Sequence, residues 1–439
     1  MEQIKPIKVA LVCGYTSHKT RAHLNLKSNK GFYQLLLKFF RLPARVGEFR
    51  DTTPWIEHIT DPMSQRQDVE LHLIAPQIRL KGNVQHFVMD GIYYHYYATE
   101  LSSLLRKINN FQIWRKLQTN GKRIKNIIDG IHPDIVVLSG AENPATSICA
   151  FFCQEYPLYI MCQTVYSDPT REAAGTYNKL IWDMERQILT HNRYIGVYSS
   201  LHYELVKKIN PNAIVFDFQY PRKRLPDIPD VAKEVDFINF AFELSEAKGA
   251  QDCIKALAIV KKKYPNVKMD LTGGCSEATK QELLCLVSEL NLKENVTFTP
   301  FFEVRDDMFQ HMKSARFAVL PIKYDNISGT VMQAMRYGLP TVTNVRPGTL
   351  KVNESSECLL LANVGDVEML AEKMLVLMDD PEKADILKKN GEEYMYNFEH
   401  AEDHAAEKIV RDFHAIIENF CKQTPIPLEL ICNNKSFQQ

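Results

Sequence analysis

The chain has 439 residues, 45% hydrophobic and 24% charged, a composition that predicts a globular protein of two or three domains. Lysine and arginine together number 53, as do aspartate and glutamate, so the zero net charge does not indicate a nucleic-acid partner. No apolar run has the length of a membrane span and the N-terminus shows no signal-peptide pattern, which favours a cytoplasmic location.

The first half of the chain alternates short apolar runs with longer amphipathic segments. The runs are typical of parallel strands buried on both faces, and they cover 8–14, 69–76, 133–140, 158–165 and 193–199. Helical periodicity between them predicts an α/β fold. The interval 17–65 is less regular, and its part 17–50 combines apolar and aromatic with basic side chains. It indicates either an ordinary surface helix or a patch for an acceptor or a membrane surface.

A second series of the same kind follows a proline-rich, charged segment. Its predicted strands cover 237–243, 268–274, 295–300, 316–321 and 358–363. We therefore predict an N-terminal domain over 1–218, a linker over 219–236 and a C-terminal domain over 237–400. The helix of about 401–439 is expected to pack back on the first domain. Ligands of such sheets bind beyond the carboxyl ends of the strands, so the cleft between the domains is the expected site.

Ten cysteines lie in mostly apolar segments, without a CxxC pair or a matching histidine spacing. Buried free thiols explain them better than disulfides or metal ligands do. We therefore expect no metal centre.

One stretch, Tyr324 to Asn344, combines a polar turn with a helix that ends at Gly338 and Pro340. Small residues in the turn permit close backbone approach, and the first helical turn offers N–H groups and the positive dipole end. That geometry suits a phosphate or sugar hydroxyls. Asp325 precedes the turn and Gln333 lies inside the helix, so both can bond one polyhydroxyl ligand.

The run from Asp325 through seven residues to Gln333 and then Ala-Met-Arg-Tyr-Gly-Leu-Pro resembles a known donor-site motif. It is the motif of retaining GT-B glycosyltransferases, family 4-like members of glycosyl transferases group 1. There, two acidic residues take the places of Asp325 and Gln333. The resemblance continues in order across the C-terminal half, and it implies two facing Rossmann-like, doubly wound domains with an interdomain cleft.

The resemblance also implies a substrate and roles for particular residues. The donor would be a nucleotide-diphosphate sugar, a UDP- or GDP-sugar, used without a metal or other cofactor. Lys248 would contact the diphosphate, Asp325 the sugar, and Gln333 the ribose. The other donor contacts implied are Gly273 of the glycine-rich turn, and the Ser328, Gly329, Thr330 and Val331 backbone.

This sequence departs from the family at one cationic position. Glu243 stands where the family has an arginine, five residues before Lys248. A carboxylate there would repel a diphosphate, so another cation is expected to substitute. The candidates are Arg346, Arg171 and Arg222.

The N-terminal half offers fewer candidates, all at strand ends. Gly14 follows the first strand and would face the cleft. Glu142 and Gln163 follow two later strands, where the family often has a sugar-contacting histidine. We name Glu142 as catalytic, together with Asp325 and Lys248, and Gln163 as a binding residue. The alternative for Glu142 and Gln163 is plain loop capping.

The resemblance implies transfer of a sugar to an acceptor hydroxyl with retention of anomeric configuration. The resemblance implies a glycan or lipid-linked acceptor in bacterial-type polysaccharide or glycoconjugate assembly. Peripheral contact with the inner membrane face would run through 17–50. Two alternatives stay open: a non-catalytic sugar-nucleotide-binding or polysaccharide-assembly protein, and a GT-B sugar-nucleotide epimerase.

Overall fold

The structure is a computed structural model that describes residues 5–27, 54–99, 110–168, 178–218, 224–302, 304–324, 328–401 and 405–432. It divides into two compact units, one formed by residues 1–222 with 404–439 and the other by residues 223–403. Each unit has one sheet with helices on both faces, so the predicted α/β class is confirmed. The cleft expected between the domains stays a prediction.

The described residues of the first unit form an eight-stranded sheet in the order β3-β4-β2-β1-β5-β6-β7-β8. Its strands are β1 Ile7–Val12, β2 Val69–Ile78, β3 Val84–Met89, β4 Ile92–Thr99, β5 Ile135–Ser139, β6 Leu158–Cys162, β7 Tyr194–Val197 and β8 Ile214–Asp217. Neighbouring strands run parallel except for β3 and β4, an antiparallel hairpin that the sequence analysis did not predict. The chain leaves β1 for β2 on one side and later returns to β5 on the other. This change of direction is the topological switch point of the sheet.

Helices cover both faces of this sheet. They are α1 His18–Ala22, α2 Glu57–Ser64, α3 Asn110–Ile131, α4 Pro144–Ser147, α5 Lys179–His191 and α6 Ser200–Ile209, with α14 Ala405–Lys422 from the end of the chain. Side chains of β1 alternate between the faces: Val9 and Leu11 enter one apolar core, while Ala10 and Val12 enter the other. A strand that is buried on both faces consists of a continuous apolar run, and this is why β1 could be predicted from the sequence.

The C-terminal helix α14 packs on the first unit. Its Val410, Phe413 and Ile416 belong to the apolar core under β1 and β2. The Phe413 ring lies edge-on to Tyr159 of β6, with 6.1 Å between centroids. The Tyr194 hydroxyl donates to Asn419 at 2.7 Å. Beyond the helix, the chain forms a bridge to β8 through Ile431.

The second unit has a six-stranded parallel sheet in the order β11-β10-β9-β12-β13-β14. Its strands are β9 Val235–Glu243, β10 Met269–Gly274, β11 Val296–Thr299, β12 Ala315–Leu320, β13 Thr341–Asn344 and β14 Leu359–Ala362. Its helices are α7 Ala250–Val260, α8 Glu277–Glu289, α9 Arg305–Lys313, α10 Gly329–Arg336, α11 Pro347–Val352, α12 Val367–Asp379 and α13 Pro381–Ala401. The switch point lies between β9 and β12.

Part of the segment predicted as a linker is packed rather than free. Residues 224–234 belong to the second unit, and Leu225 and Ile228 contact its apolar core. The Tyr337 hydroxyl donates to the Pro226 carbonyl at 2.9 Å, and Lys313 donates to the Ile228 carbonyl at 2.6 Å. Strand β9 then begins at Val235, inside the range predicted for the linker.

Candidate functional site

The predicted donor residues follow the two strands that meet at the switch point of the second unit. The turn that carries Lys248 follows β9, and the loop that leads to α10 follows β12. Because β9 and β12 are parallel neighbours, both connections leave the same edge of the sheet. The sequence analysis named these two segments from motifs, and the topology places them side by side.

A short 3-10 turn, Glu246–Lys248, presents the half-buried Lys248. It ends at Gly249, whose φ of 75° lies in the left-handed region. A Cβ atom at Gly249 would lie 2.5 Å from both the carbonyl oxygen and Cγ of Pro321. Only glycine therefore lets the turn lie this close to the loop after β12.

Lys323 joins the same two segments, and the sequence analysis did not single it out. Its backbone N–H donates to the Ala247 carbonyl at 3.1 Å. Its ammonium lies 3.2 Å from the Asp252 carboxylate and 3.5 Å from that of Glu246, with 13% of the side chain exposed. The backbone bond and the ion pairs together fasten the Lys248 turn to the β12–α10 loop. We call this arrangement of Lys323, Asp252 and Gly249 the clamp.

Helix α10 begins where the motif predicts. Ser328 is its N-cap, extended at φ −79° and ψ 141°, and its Oγ lies 2.9 Å from the Thr330 Oγ1. Gly329 is exposed and Gln333 is half-buried one turn further on. The Val331 side chain is buried, and its amide donates to the Ser328 carbonyl at 3.1 Å. Asp325 lies outside the described residues.

Two further donor candidates occupy neighbouring strand ends. Gly273 is the penultimate residue of β10, and a Cβ atom there would lie 2.3 Å from the Ala241 carbonyl oxygen, so strand packing by itself requires a glycine. Arg346 is half-buried after β13, as N-cap of α11, and its amide donates to the Thr349 hydroxyl at 2.8 Å. Arg171 and Arg222, the other candidate cations, lie outside the described residues. Glu243 is exposed at the end of β9.

The first unit brings Gly14 and the Glu142 loop together at its own switch point. A Cβ atom on Gly14 would lie 3.0 Å from the Asn143 side-chain nitrogen, which shows how closely the β1 and β5 connections approach. The Glu142 carboxylate turns back over Gly140, where a Cβ atom would meet it at 2.3 Å. Asn143 caps α4 through the Ala145 amide at 3.1 Å.

Gln163 is exposed after β6, at the start of a loop held by a buried carboxylate. Glu185 of α5 is fully buried and accepts the amides of Tyr166 and Ser167 at 2.7 and 2.6 Å. The sequence analysis missed Glu185 because an acidic residue in an amphipathic helix ordinarily faces solvent. Its role here is to fix the backbone that follows Gln163.

Cysteines beside this edge are not nucleophiles. Burial raises the pKa of the Cys13 thiol to about 12, and it also raises the pKa of Cys162 well above its ordinary value. All ten cysteines are free thiols, as predicted, and most are buried. Within the described ranges, no group of three or more His, Cys, Asp or Glu side chains could hold a metal ion. Among the residues that the structure describes, no helix is long and apolar enough to cross a membrane.

Comparison with known families covers the second unit best. Residues 222–394 match the family described as Glycosyl transferases group 1, which supports the predicted family. An uncharacterised glycosyltransferase of Haemophilus influenzae is 23% identical over 48% of this chain and 55% of its own length. The uncharacterised glycosyltransferase YqgM of Bacillus subtilis is 26% identical over 35% of this chain and 42% of its own length. The chain thus matches about half the length of these relatives, and their names agree with the predicted enzyme class.

Solved structures resemble the chain over almost its whole length. Sucrose-phosphate synthase from Thermosynechococcus elongatus superimposes with a TM-score of 0.63 at 14% identity, covering 93% of this chain and 99% of that one. HepE from Anabaena, in complex with UDP and glucose, gives a TM-score of 0.59 at 14% identity over the same shares. At such identities the likeness shows the fold, and the predicted GT-B fold is confirmed.

Proposed function

Taking residues 222–394 as a glycosyl transferases group 1 domain, we propose that the protein transfers a sugar from a nucleotide-diphosphate sugar to an acceptor hydroxyl. One observation carries the proposal: the Lys248 turn and the start of α10 lie together at the β9–β12 switch point, fastened by the clamp. A switch point is where open α/β sheets bind nucleotides. The UDP in the complexed HepE structure makes a UDP-sugar the first donor to test.

In this proposal each residue at the β9–β12 edge contacts a different part of the donor. Lys248 supplies positive charge to the diphosphate, and the amides of Ser328, Gly329 and Thr330 bond its oxygens at the helix N-terminus. Gln333 bonds the ribose hydroxyls, and Asp325 bonds the sugar and stabilises charge that develops on its ring. Gly273 lines the edge through β10, and Arg346 is the remaining candidate cation.

Sugar transfer then depends more on how the donor and the acceptor are oriented than on a reactive side chain. Retention by front-face attack would let the leaving phosphate take the acceptor proton, so the protein mainly aligns donor and acceptor. On the acceptor side, Gly14, Glu142 and Gln163 would meet a glycan or lipid-linked hydroxyl. Assembly of a polysaccharide or glycoconjugate is the corresponding biological role. No metal or other cofactor takes part in this scheme, so chelators should leave transfer unchanged.

A panel of UDP- and GDP-sugars, scored by thermal shift and by nucleotide release, tests the proposal. We expect one donor to stabilise the protein, and Lys248→Ala to raise the KM for that donor roughly 10- to 100-fold, because a charge-assisted bond is lost. The control is Lys255→Ala, which removes an exposed lysine of α7 and should change nothing. A donor that binds without being turned over would favour the non-catalytic alternative. Equal effects of the two substitutions would contradict the site.

A further inference from the structure

Three histidines share one face of the first sheet, at the edge formed by β2, β3 and β4. His86 of β3 stands directly opposite His95 of β4 in the antiparallel ladder. His72 of β2 lies beside His95 on the same face. Val88 and Tyr93 on this face are exposed, by 59% and 40%, so this part of the sheet is open to solvent.

The imidazoles form a hydrogen-bonded row that ends on a carboxylate. The Nδ1 atoms of His86 and His95 are 2.6 Å apart, and the Nε2 of His95 lies 3.0 Å from the Nδ1 of His72. The Nε2 of His72 lies 3.0 Å from the Glu70 carboxylate. We call these four side chains the histidine row.

The carboxylate sets the tautomers along the row. An ionised carboxylate only accepts hydrogen bonds, so Glu70 requires the His72 proton on Nε2. When the imidazoles are neutral, the His72 Nδ1 then accepts from Nε2 of His95. The Nδ1 of His95 is left with a lone pair that points at His86.

The position of His95 directs this lone pair toward the outer strand. The half-buried His95 ring lies between His72 and His86, and its Nδ1 faces the Nδ1 of His86 across 2.6 Å. His86 is exposed and lines a surface cavity of about 610 Å³, so its remaining proton can move to Nε2 through solvent.

We propose that His86 and His95 bind a divalent transition-metal ion, such as Zn²⁺, Ni²⁺ or Cu²⁺, between their Nδ1 atoms. Metal–imidazole bonds of about 2.0–2.1 Å at ordinary ligand angles need the two nitrogens roughly 2.9–3.4 Å apart. The exposed His86 ring therefore has to move away from His95 by less than about 1 Å. Imidazole nitrogens suit these three metals, and water completes the coordination.

His72 and Glu70 act as positioning residues in this site. A metal-bound histidine ordinarily donates its other ring N–H to an acceptor that orients the ring, and His72 is that acceptor for His95. The row supplies two direct ligands, in keeping with the finding that no three acidic, histidine or cysteine side chains of the described residues converge on one point. The histidine row lies on the sheet of the first unit, whereas the proposed donor residues follow strands of the second unit.

Titration of the tag-free protein with Cu²⁺, followed by calorimetry and by electron paramagnetic resonance, tests the proposal. We expect one ion bound with nitrogen hyperfine coupling, and at least tenfold weaker binding in His86→Ala, a substitution at an exposed position. Glu70→Gln should weaken binding several-fold and shift its pH profile, because the tautomer is no longer fixed. The control is His23→Ala, which removes another exposed histidine of the same cavity and should leave the affinity unchanged. Retained affinity in His86→Ala, or equal loss in His23→Ala, would overturn the assignment.

Discussion

Gly249 joins the Lys248 turn to the loop after β12 at a distance that no side chain permits. Its φ of 75° and the 2.5 Å from a Cβ position to Pro321 are separate constraints. The first is backbone strain, worth roughly 1–2 kcal/mol for a residue other than glycine. The second is a clash that moves the turn itself. A substitution there should therefore affect donor binding as well as folding.

We predict that Gly249→Ala lowers the free energy of unfolding more than Gly365→Ala does. Gly365 has a φ of 80°, and a Cβ atom there would meet nothing within 4 Å, so that variant measures the strain by itself. Gly249→Ala should also raise the donor KM at least tenfold. Urea denaturation and donor kinetics measure the two effects. Equal destabilisation of the two variants with an unchanged KM would show that the clamp does not position Lys248.

Lys323 provides a second prediction at this scale. Lys323→Met should lower the free energy of unfolding by about 2–4 kcal/mol, because it leaves the buried Asp252 carboxylate without its cation. Adding Asp252→Asn should recover part of this loss, with a coupling above about 1 kcal/mol in a double-mutant cycle. Additive losses would mean that the ion pair does not act as a unit.

The sequence predicted single residues where a local motif surrounds them. Lys248, Ser328 and Gln333 belong to motifs that are continuous in the chain, and the structure places them at the expected strand end and helix. Lys323 was not predictable in this way, because its partner Asp252 comes from the start of α7, in a different βα unit. Glu185 was missed for a different reason: an acidic residue in an amphipathic helix is expected to face solvent, and its backbone partners in the preceding loop have no side-chain signal.

At the scale of elements, the β3–β4 hairpin could have been predicted from its turn sequence, which the sequence analysis did not consider. Asp90 and Gly91 connect the strands, and their φ values of 52° and 78° are typical of a type I′ turn. Asp-Gly between strands predicts such a hairpin. The flanking segments hide it, because His86, His95 and several tyrosines interrupt the apolar alternation that marks a strand.

Helix α14 buries an acidic side chain, Asp412, that has a measurable consequence. The side chain is fully buried, and burial raises the pKa of its carboxyl to about 7, although Lys408 at 3.4 Å acts in the opposite direction. In the unfolded chain this carboxyl has an ordinary pKa near 4. Between these values the folded protein keeps a proton that the unfolded chain releases, so stability falls as pH rises through this window.

We predict that Asp412 makes the first unit about 3 kcal/mol less stable at pH 8 than at pH 5. The asparagine of the Asp412→Asn variant cannot ionise, so the variant should lose this part of the pH dependence of stability. The contributions of histidines to that pH dependence should remain. Chemical denaturation at the two pH values, wild type against variant, isolates the difference. The prediction fails if both proteins show the same pH dependence.

At the scale of the whole molecule, each unit has its own pair of apolar cores. The second unit is continuous in the chain, whereas the first needs residues from both ends of it. In the first unit, Phe413 and its neighbours in α14 cover Tyr159 and Phe216, which are buried. Removing this helix would expose a large apolar surface on the sheet.

We therefore predict that a fragment of residues 224–401 folds alone and a fragment of residues 1–218 does not. The first should unfold cooperatively in urea, and the second should aggregate. A peptide of residues 405–432 added in trans should raise the yield of the soluble 1–218 fragment. Cooperative unfolding of 1–218 alone, with the midpoint of the full chain, would show that α14 is dispensable for that unit.

The α/β architecture could be predicted from the sequence because parallel strands that are covered on both faces are continuous apolar runs. The strand order was not readable, since hydrophobic runs such as β1 and β5 do not say which neighbour they pair with. The order nevertheless decides where the proposed donor site lies, because it places β9 beside β12 and thereby brings the Lys248 turn to α10.

The division of the first unit between the two ends of the chain also bears on protein synthesis. Domains generally fold as they leave the ribosome, the N-terminal one first. Here residues 223–403 emerge before α14 does, and at about 5–20 residues per second this takes roughly 10–40 s. During that interval the second unit can fold to completion, while the face of the first sheet around Tyr159 is not yet covered by α14. That nascent sheet is where a chaperone would be needed.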